Sequence, residues 1–134
     1  MVLATLDQEQ TKNTPAVQAD PVTGLFRMMG DSYPENSFEF FAPLIEWIEA
    51  FLETNTEALT LELNIAYMNT SSVKAMMDIF DLMEEAFQQG RKVQVAWFYD
   101  SRNERVVEMI EEFQEDCSFI FEIKKINDAC DQGA

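Results

Sequence analysis

The chain has 134 residues, 47% of them hydrophobic, so it is long enough for one domain with a sizeable core. Its formal net charge is −16, from 25 acidic and 9 basic residues. Such a charge repels nucleic acids and anionic lipid surfaces, so we expect neither a nucleic-acid partner nor a membrane partner.

The residues that most catalytic sites need are missing from the sequence. There is no histidine, which removes the commonest general base and the commonest metal ligand. The four glycines form neither a dinucleotide-binding nor a triphosphate-binding loop. Paired carboxylates such as Glu111 and Glu112 fit the solvated faces of helices better than a cation site. We therefore predict no enzyme activity, no cofactor and no metal.

Composition divides the chain into a middle part with a regular hydrophobic pattern and two ends without one. Residues 1–13 are polar and lack the basic start and apolar core of a signal peptide, so a flexible leader is expected. Residues 14–126 carry the hydrophobic pattern of a single domain, and residues 127–134 are expected to be a loose tail. Two cysteines, Cys117 and Cys130, are too few for a disulfide framework, which favours the cytoplasm.

The first predicted elements are a β-hairpin and a long helix. Residues 15–19 and 25–29 are short runs separated by a turn that contains Asp20, Pro21 and Gly24. After a loop at residues 30–37, apolar residues recur at helical spacing from Phe38 to Leu52. Pro43 lies inside this pattern, so it either starts the regular helix near Ala42 or bends a helix that begins at Ser37.

The remaining elements alternate between strands and helices. Residues 59–68 alternate as a strand, and a helical pattern runs from Val73 to a glycine cap at Gly90. The apolar run 93–99 is typical of a buried central strand. Ser101 and Glu104 have the spacing of a capping box for a third helix, and residues 119–126 form the last strand. The order predicts an α/β domain with a mainly parallel or mixed sheet of about five strands and about three helices.

The junction between the second helix and the strand before it is unusually polar. Asn69, Thr70, Ser71 and Ser72 stand in a row there. Helix capping needs one such side chain, and by composition alone capping is the favoured explanation. A phosphate would also be stabilised at this point, because a helix N-terminus offers free N–H groups and partial positive charge.

At this junction the sequence resembles the SiaC-type regulatory phosphoproteins of bacteria. Residues 69–78 resemble the family's phosphorylation segment, and residues 30–37, 99–106 and 115–119 agree in the same order. The resemblance implies a fold similar to STAS domains and anti-sigma-factor antagonists. It also implies that Thr70 is phosphorylated by a dedicated serine/threonine kinase and dephosphorylated by a PP2C-type phosphatase.

The resemblance implies a function in signal transduction as well. The unphosphorylated protein is expected to bind and activate a diguanylate cyclase, which raises cyclic di-GMP and promotes biofilm formation. Phosphorylation of Thr70 is expected to block that binding. An anti-sigma-factor antagonist in a partner-switching cascade is the alternative, and it would use the same threonine.

The expected partner-binding surface surrounds Thr70 and includes Asn69, Ser71, Ser72 and Lys74. Further candidates, for which capping and turn formation are the competing explanations, are Tyr33, Glu35, Asn36, Asp100, Arg102 and Arg105. Two other hypotheses stay open from the residues alone. Cys117 is either a reactive thiol or a small buried side chain, and a cleft at the rim of the sheet could take a nucleotide or lipid.

Overall fold

The computed structural model describes residues 3–126, and the tail predicted at residues 127–134 lies outside this range. In chain order the elements are β1 Leu6–Gln8, β2 Ala16–Asp20, β3 Leu25–Met29, α1 Ser37–Thr54, β4 Leu59–Asn64, α2 Thr70–Gln88, β5 Val93–Asp100, α3 Arg105–Glu115 and β6 Ile120–Ile126. The predicted α/β class and the three helices are confirmed.

The six strands form one mixed sheet in the order of the sequence. The first two neighbouring pairs, β1 with β2 and β2 with β3, are antiparallel, and the other three pairs are parallel. The expected count of about five strands is one too low. The additional strand, β1, has only three residues, too short to produce a readable alternation, and its Leu6 pairs with Ala19 of β2.

All three helices pack against the same face of the sheet. Trp47 of α1 contacts Phe26, while Phe80 of α2 and Phe113 of α3 contact Trp97. The strand register places Phe26 and Trp97 on one face. This arrangement follows from the strand order, because right-handed crossovers that always step in one direction leave every helix on one side.

The opposite face of the sheet carries no helix from the described residues, which corrects the expectation for β5. Its apolar run predicted a strand buried on both faces. Val95 and Trp97 are indeed buried against the helices, but Gln94 is exposed and Phe98 is only half-buried. Aromatic and aliphatic residues therefore extend onto a face that the fold covers only in part.

The first residues of α1 and α3 decide two predictions about where these helices begin. Helix α1 begins at Ser37 and includes the exposed Pro43, so the helix continues through the proline. The capping box predicted before α3 is wrong, since α3 begins after Glu104 with no side-chain cap bond. Asp100 instead accepts a hydrogen bond from the backbone N–H of Arg102 at 2.8 Å, which closes a turn before the helix.

No helix among residues 3–126 combines the length and the low polarity that crossing a membrane requires.

Candidate functional site

Helix α2 begins at Thr70, three residues before the expected start near Val73. Asn69 is the N-cap, and its side-chain oxygen accepts a hydrogen bond from the backbone N–H of Ser72 at 2.9 Å. Thr70 is therefore the first residue of the helix rather than part of a loop ahead of it. The predicted capping role is confirmed, and one residue, Asn69, fulfils it.

The hydroxyl of Ser72 is taken up by the protein interior. Ser72 and Ser32 are both fully buried, and their side-chain oxygens share a hydrogen bond of 2.8 Å. The backbone of Ser32 accepts from the N–H of Asn69 at 3.0 Å and donates to the carbonyl of Tyr67 at 2.8 Å. These bonds fasten the loop before α1 to the start of α2, and they leave Ser72 inaccessible to another protein.

The hydroxyl of Ser71 is also engaged, although it lies at the surface. It shares a hydrogen bond of 2.6 Å with the hydroxyl of Ser37, the first residue of α1. It donates a second, longer bond of 3.3 Å to the side-chain oxygen of Asn69. Ser71 therefore joins the N-terminal ends of α1 and α2.

Thr70 differs from its two neighbours. Its side chain is exposed, and among residues 3–126 its hydroxyl has no hydrogen-bond partner. The Asn69 side chain satisfies the N–H of Ser72. The first-turn N–H groups of Thr70 and Ser71 have no hydrogen-bond acceptor among residues 3–126. The structure thus presents one free hydroxyl at the positive end of a helix dipole.

Lys74 lies one turn after Thr70 on the same side of α2, since residues four apart in a helix are neighbours. It is exposed, and it makes no ion pair within residues 3–126. Together with Ser37 and Ser71 it lines one end of a groove of about 520 Å³ between α1 and α2, which we call the α1–α2 groove.

Two of the candidates in the loop before α1 have structural roles. Asn36 caps α1 by accepting a hydrogen bond from the N–H of Glu39 at 3.1 Å. Tyr33 is half-buried and packs edge-on against Tyr67, with ring centroids 5.7 Å apart. Glu35 is exposed in the same loop. Hydrogen bonds to Asn69 and Ser72 place this loop next to the start of α2.

The turn that begins at Asp100 forms its own local network. The Asp100 carboxylate accepts hydrogen bonds from the Arg102 guanidinium at 2.7 and 3.1 Å, and these bonds lower the pKa of Asp100 to about 2. Arg105 is exposed at the start of α3. The side-chain hydrogen bonds of residues 69–72 end within that segment or on residues 32–37, so these bonds make the loop before α1 and the first residue of α1 the neighbours of this segment.

Sequence reasoning missed two exposed aromatic residues beside the site. Phe38, in the first turn of α1, is 82% exposed and lines the α1–α2 groove, and Tyr67 is 55% exposed just before α2. Phe38 matches the helical apolar pattern, which predicts a position in the core. The only available signal was its position at the very start of that pattern, next to a polar loop.

The thiol of Cys117 is poorly suited to nucleophilic chemistry. It is half-buried and donates a hydrogen bond to the carbonyl of Phe113. Burial, followed by the negative charge of Glu84, raises the pKa of Cys117 to about 12. The thiolate is therefore scarce at neutral pH, which supports the buried-thiol explanation. Within residues 3–126 no cluster of three potential metal ligands occurs.

Comparison with known proteins identifies the family of this chain. The model of the SiaC family of regulatory phosphoproteins matches residues 8–126. A protein of Pseudomonas aeruginosa strain UCBPP-PA14 is 57% identical over 114 residues, which cover 85% of this chain and 90% of that protein.

Solved structures agree with the family match. The fold is similar to apo-SiaC from Pseudomonas aeruginosa, with a TM-score of 0.87 and 53% identity over 90% of this chain and 98% of that one. It is also similar to a chain in the crystal structure of the diguanylate cyclase SiaD in complex with its activator SiaC, from the same organism. The TM-score there is 0.88, with 55% identity over 90% of this chain and 99% of that one. The family-model match over most of the chain and the 57% identical relative show that this chain belongs to the SiaC family of regulatory phosphoproteins, and the shared fold agrees with this.

Proposed function

We propose that this chain is a non-catalytic switch that, in its unphosphorylated form, binds and activates a diguanylate cyclase. The support for this partner is the similarity to SiaC of Pseudomonas aeruginosa, which is described as the activator in complex with the cyclase SiaD. The sequence has no histidine and no glycine-rich loop, and within residues 3–126 the thiol of Cys117 has a raised pKa, which is in keeping with a regulatory role.

Phosphorylation of Thr70 by a serine/threonine kinase switches this activity off, and a PP2C-type phosphatase restores it. The observation that carries the assignment is the free, exposed hydroxyl of Thr70 at the N-terminus of α2. A kinase can reach this oxygen without breaking an internal hydrogen bond. Ser72 is buried and Ser71 is bonded to Ser37, so neither offers the same access.

The phosphorylated form stays folded because the helix end accommodates negative charge. The N–H groups of Thr70 and Ser71 can donate to a phosphate, and the macrodipole favours an anion at that end. The phosphate adds roughly −1.5 to −2 charges at the centre of the expected partner surface. Phosphorylation therefore changes the surface and leaves the core intact.

Co-expression with a kinase encoded beside the gene tests the acceptor. We expect intact mass to increase by one phosphate and tandem mass spectrometry to place it on Thr70. The variant T70V keeps the shape of the side chain and should lose the phosphate, whereas the control T56V at another exposed threonine should retain it. Phosphate found only on Ser71, Ser72 or elsewhere would contradict the assignment.

A cyclase assay tests the output. Purified diguanylate cyclase from the same genome should make cyclic di-GMP faster with the unphosphorylated chain than alone, and the phosphorylated chain should lose that stimulation. Treatment with the PP2C-type phosphatase should restore it. Equal stimulation by both forms would rule out the switch, and co-purification with an anti-sigma factor instead of the cyclase would favour the antagonist alternative.

A further inference from the structure

Strand β6 forms one edge of the sheet, and within residues 3–126 its only neighbouring strand is β5. The N–H of Ser101, which follows β5, donates to the carbonyl of Ile126, so the backbone groups of Ile126 are directed toward β5. Because these groups alternate in direction along a strand, the N–H and C=O groups of Phe121, Ile123 and Lys125 are directed outward.

The outward groups of β6 are largely free. The carbonyl of Phe121 accepts a hydrogen bond from the side-chain amide of Gln114 at 2.8 Å. The outward N–H and C=O groups of Ile123 and Lys125 have no hydrogen-bond partner among residues 3–126. The other edge strand, β1, has three residues, whereas β6 has seven. Strand β6 is therefore the longer of the two edges on which another strand could pair.

The sequence of β6 is complementary to itself when two copies run antiparallel about Ile123. In that register Glu122 of each copy lies opposite Lys124 of the other, and Ile120 of each copy lies opposite Ile126 of the other. Each pair occurs twice, because a twofold axis relates the copies. Opposite charges and apolar side chains directly across two strands both stabilise the pairing.

Other registers of the same two strands are unfavourable. A shift of two residues in one direction places Glu122 opposite its counterpart in the second copy, and a shift in the other direction does the same for Lys124. Both shifts oppose like charges. A shift of one residue aligns outward backbone groups with groups directed toward β5, so the hydrogen bonds are lost. Charge and backbone direction therefore select the register centred on Ile123.

The two charged side chains lie on the sheet face that carries no helix from the described residues. The Lys124 ammonium is 3.6 Å from the Glu122 carboxylate of the same chain and 5.9 Å from the centroid of the Phe98 ring. Lysines on an edge strand commonly discourage pairing. Here the second copy would place a further carboxylate beside Lys124, so the two pairs would form one network of alternating charges.

An exposed apolar side chain lies at one end of the same edge. Ile120 is 61% exposed, and it lines a groove of about 420 Å³ together with Phe87 and Val93. The register centred on Ile123 brings Ile126 of the second copy against Ile120. Association would therefore bury apolar surface at both ends of the paired strands.

We propose that two copies of this chain associate through antiparallel pairing of their β6 strands, centred on Ile123, so that the two sheets become continuous. The occupant of this edge is thus a second copy of the chain. The proposal is independent of the proposed function, because the segment 69–72 follows β4, which β5 separates from β6.

Sedimentation equilibrium of the full-length chain tests the association. The average mass should rise from that of one chain toward that of two as the concentration increases. Glu122→Lys and Lys124→Glu should each raise the dissociation constant of the dimer by about 10-fold or more, because each opposes like charges twice. The double variant restores opposite charges, so its dissociation constant should return to within about 3-fold of the wild-type value.

Matched controls separate this local effect from the change in net charge. Glu53→Lys and Lys12→Glu reverse charges at exposed positions outside β6. Each should change the dissociation constant by less than about 2-fold, because exposed charges far from the contact are screened. Thermal unfolding of every variant verifies that the fold is retained.

Hydrogen exchange measured by NMR on the wild-type chain tests the pairing without any substitution. The outward amides of Ile123 and Lys125 should exchange more slowly at concentrations where the dimer predominates. The amides of Glu122 and Lys124, which are directed toward β5, should change less. Equal behaviour of the two sets would contradict pairing along this edge.

The remaining outcomes also decide the proposal. The mass of a single chain at every concentration would overturn it. Assemblies larger than two chains would overturn the twofold pairing and indicate head-to-tail contact between β6 and β1. A double variant that stays as weak as the single variants would overturn the register. The experiments use the chain alone, so their failure leaves the proposed activation of a cyclase standing.

Discussion

The three hydroxyls at the start of α2 are chemically similar but have different surroundings. Ser72 is buried against Ser32, Ser71 is bonded to Ser37, and Thr70 is exposed without a partner in the described chain. Two of the hydroxyls therefore hold the loops together. The remaining one is exposed, and it is the hydroxyl to which we assign the proposed regulatory modification.

The buried serine pair leads to a prediction about stability. Ser72→Ala should lower the free energy of unfolding by about 1–3 kcal/mol, because the Ser32 hydroxyl would stay buried without its partner. Urea unfolding measures the change. The double variant of Ser32 and Ser72 to alanine should cost less than the sum of the two single variants. Additive losses would show that the hydrogen bond contributes little.

Cys117 leads to a prediction about reactivity. Since burial raises its pKa from 9.0 to about 12, the folded protein should react with a thiol reagent at pH 8 much more slowly than the unfolded protein. A Cys130→Ser background isolates the signal, and absorbance of the released thiol product follows it. Equal rates with and without urea would contradict the prediction.

The same shift has a consequence at high pH. The folded state holds the proton on Cys117 more tightly than the unfolded state does. The thiol's contribution to stability is therefore complete below about pH 9 and is lost as pH rises toward about 12. Cys117→Ala should remove this part of the pH dependence in urea unfolding between pH 8 and 10.

At the scale of elements, the β2–β3 hairpin shows how a turn residue is constrained by its surroundings. Gly24 has φ of +76°, and its N–H donates to the carbonyl of Asp20 at 2.9 Å. A side-chain Cβ at this position would lie 2.1 Å from the backbone oxygen of Ala58. The sequence predicted the turn, but the close approach to the segment before β4 arises only when the sheet forms.

Substitution of this glycine is a test of that contact. Gly24→Ala should lower the free energy of unfolding by more than about 1 kcal/mol, because backbone strain and a clash add together. Gly90→Ala is the matched control, since it also has positive φ but no atom within 4 Å of an added Cβ. Its cost should be smaller. Equal losses in urea unfolding would show that the clash relaxes.

The helix starts show where local sequence signals suffice and where they do not. Asn36 and Asn69 cap α1 and α2 as polar residues before apolar patterns are expected to do. Ser101 and Glu104 matched a capping pattern equally well, but Asp100 closes a turn with Arg102 and delays α3. Local spacing did not distinguish between a turn and a cap, because both satisfy backbone N–H groups.

At the scale of the whole molecule, the net charge of −16 opposes folding through self-repulsion. Four ion pairs are formed among the described residues, and all involve partly or largely exposed side chains. Pairs of this kind contribute little individually. Stability therefore depends mainly on the shared core between the helices and one face of the sheet.

We accordingly expect the thermal unfolding midpoint to rise as sodium chloride increases from 10 to about 150 mM. The Debye length falls from roughly 30 to 8 Å over this range, so repulsion between distant carboxylates is screened. Differential scanning calorimetry measures the midpoint. Potassium chloride should have the same effect, and a midpoint that stays constant or falls would contradict the explanation.

The sequence by itself determined the class of fold, because hydrophobic periods of two and of 3.6 residues report directly on which faces are buried. Its four matching segments identified the family and pointed to Thr70 and its polar neighbours. Two further properties, the short β1 strand and the placement of every helix on one face, depended on strand pairing. Such pairing between distant segments leaves no local pattern.

Only the tertiary structure decided which of the three hydroxyls is free. The partners of Ser71 and Ser72 lie 34 and 40 residues earlier in the chain, so no local spacing could reveal that they are engaged. The α1–α2 groove likewise exists only after the two helices pack, with Phe38 left outside the core at one end. The sequence predicted the position of the proposed switch, and long-range packing determined which hydroxyl and which neighbouring surface are exposed there.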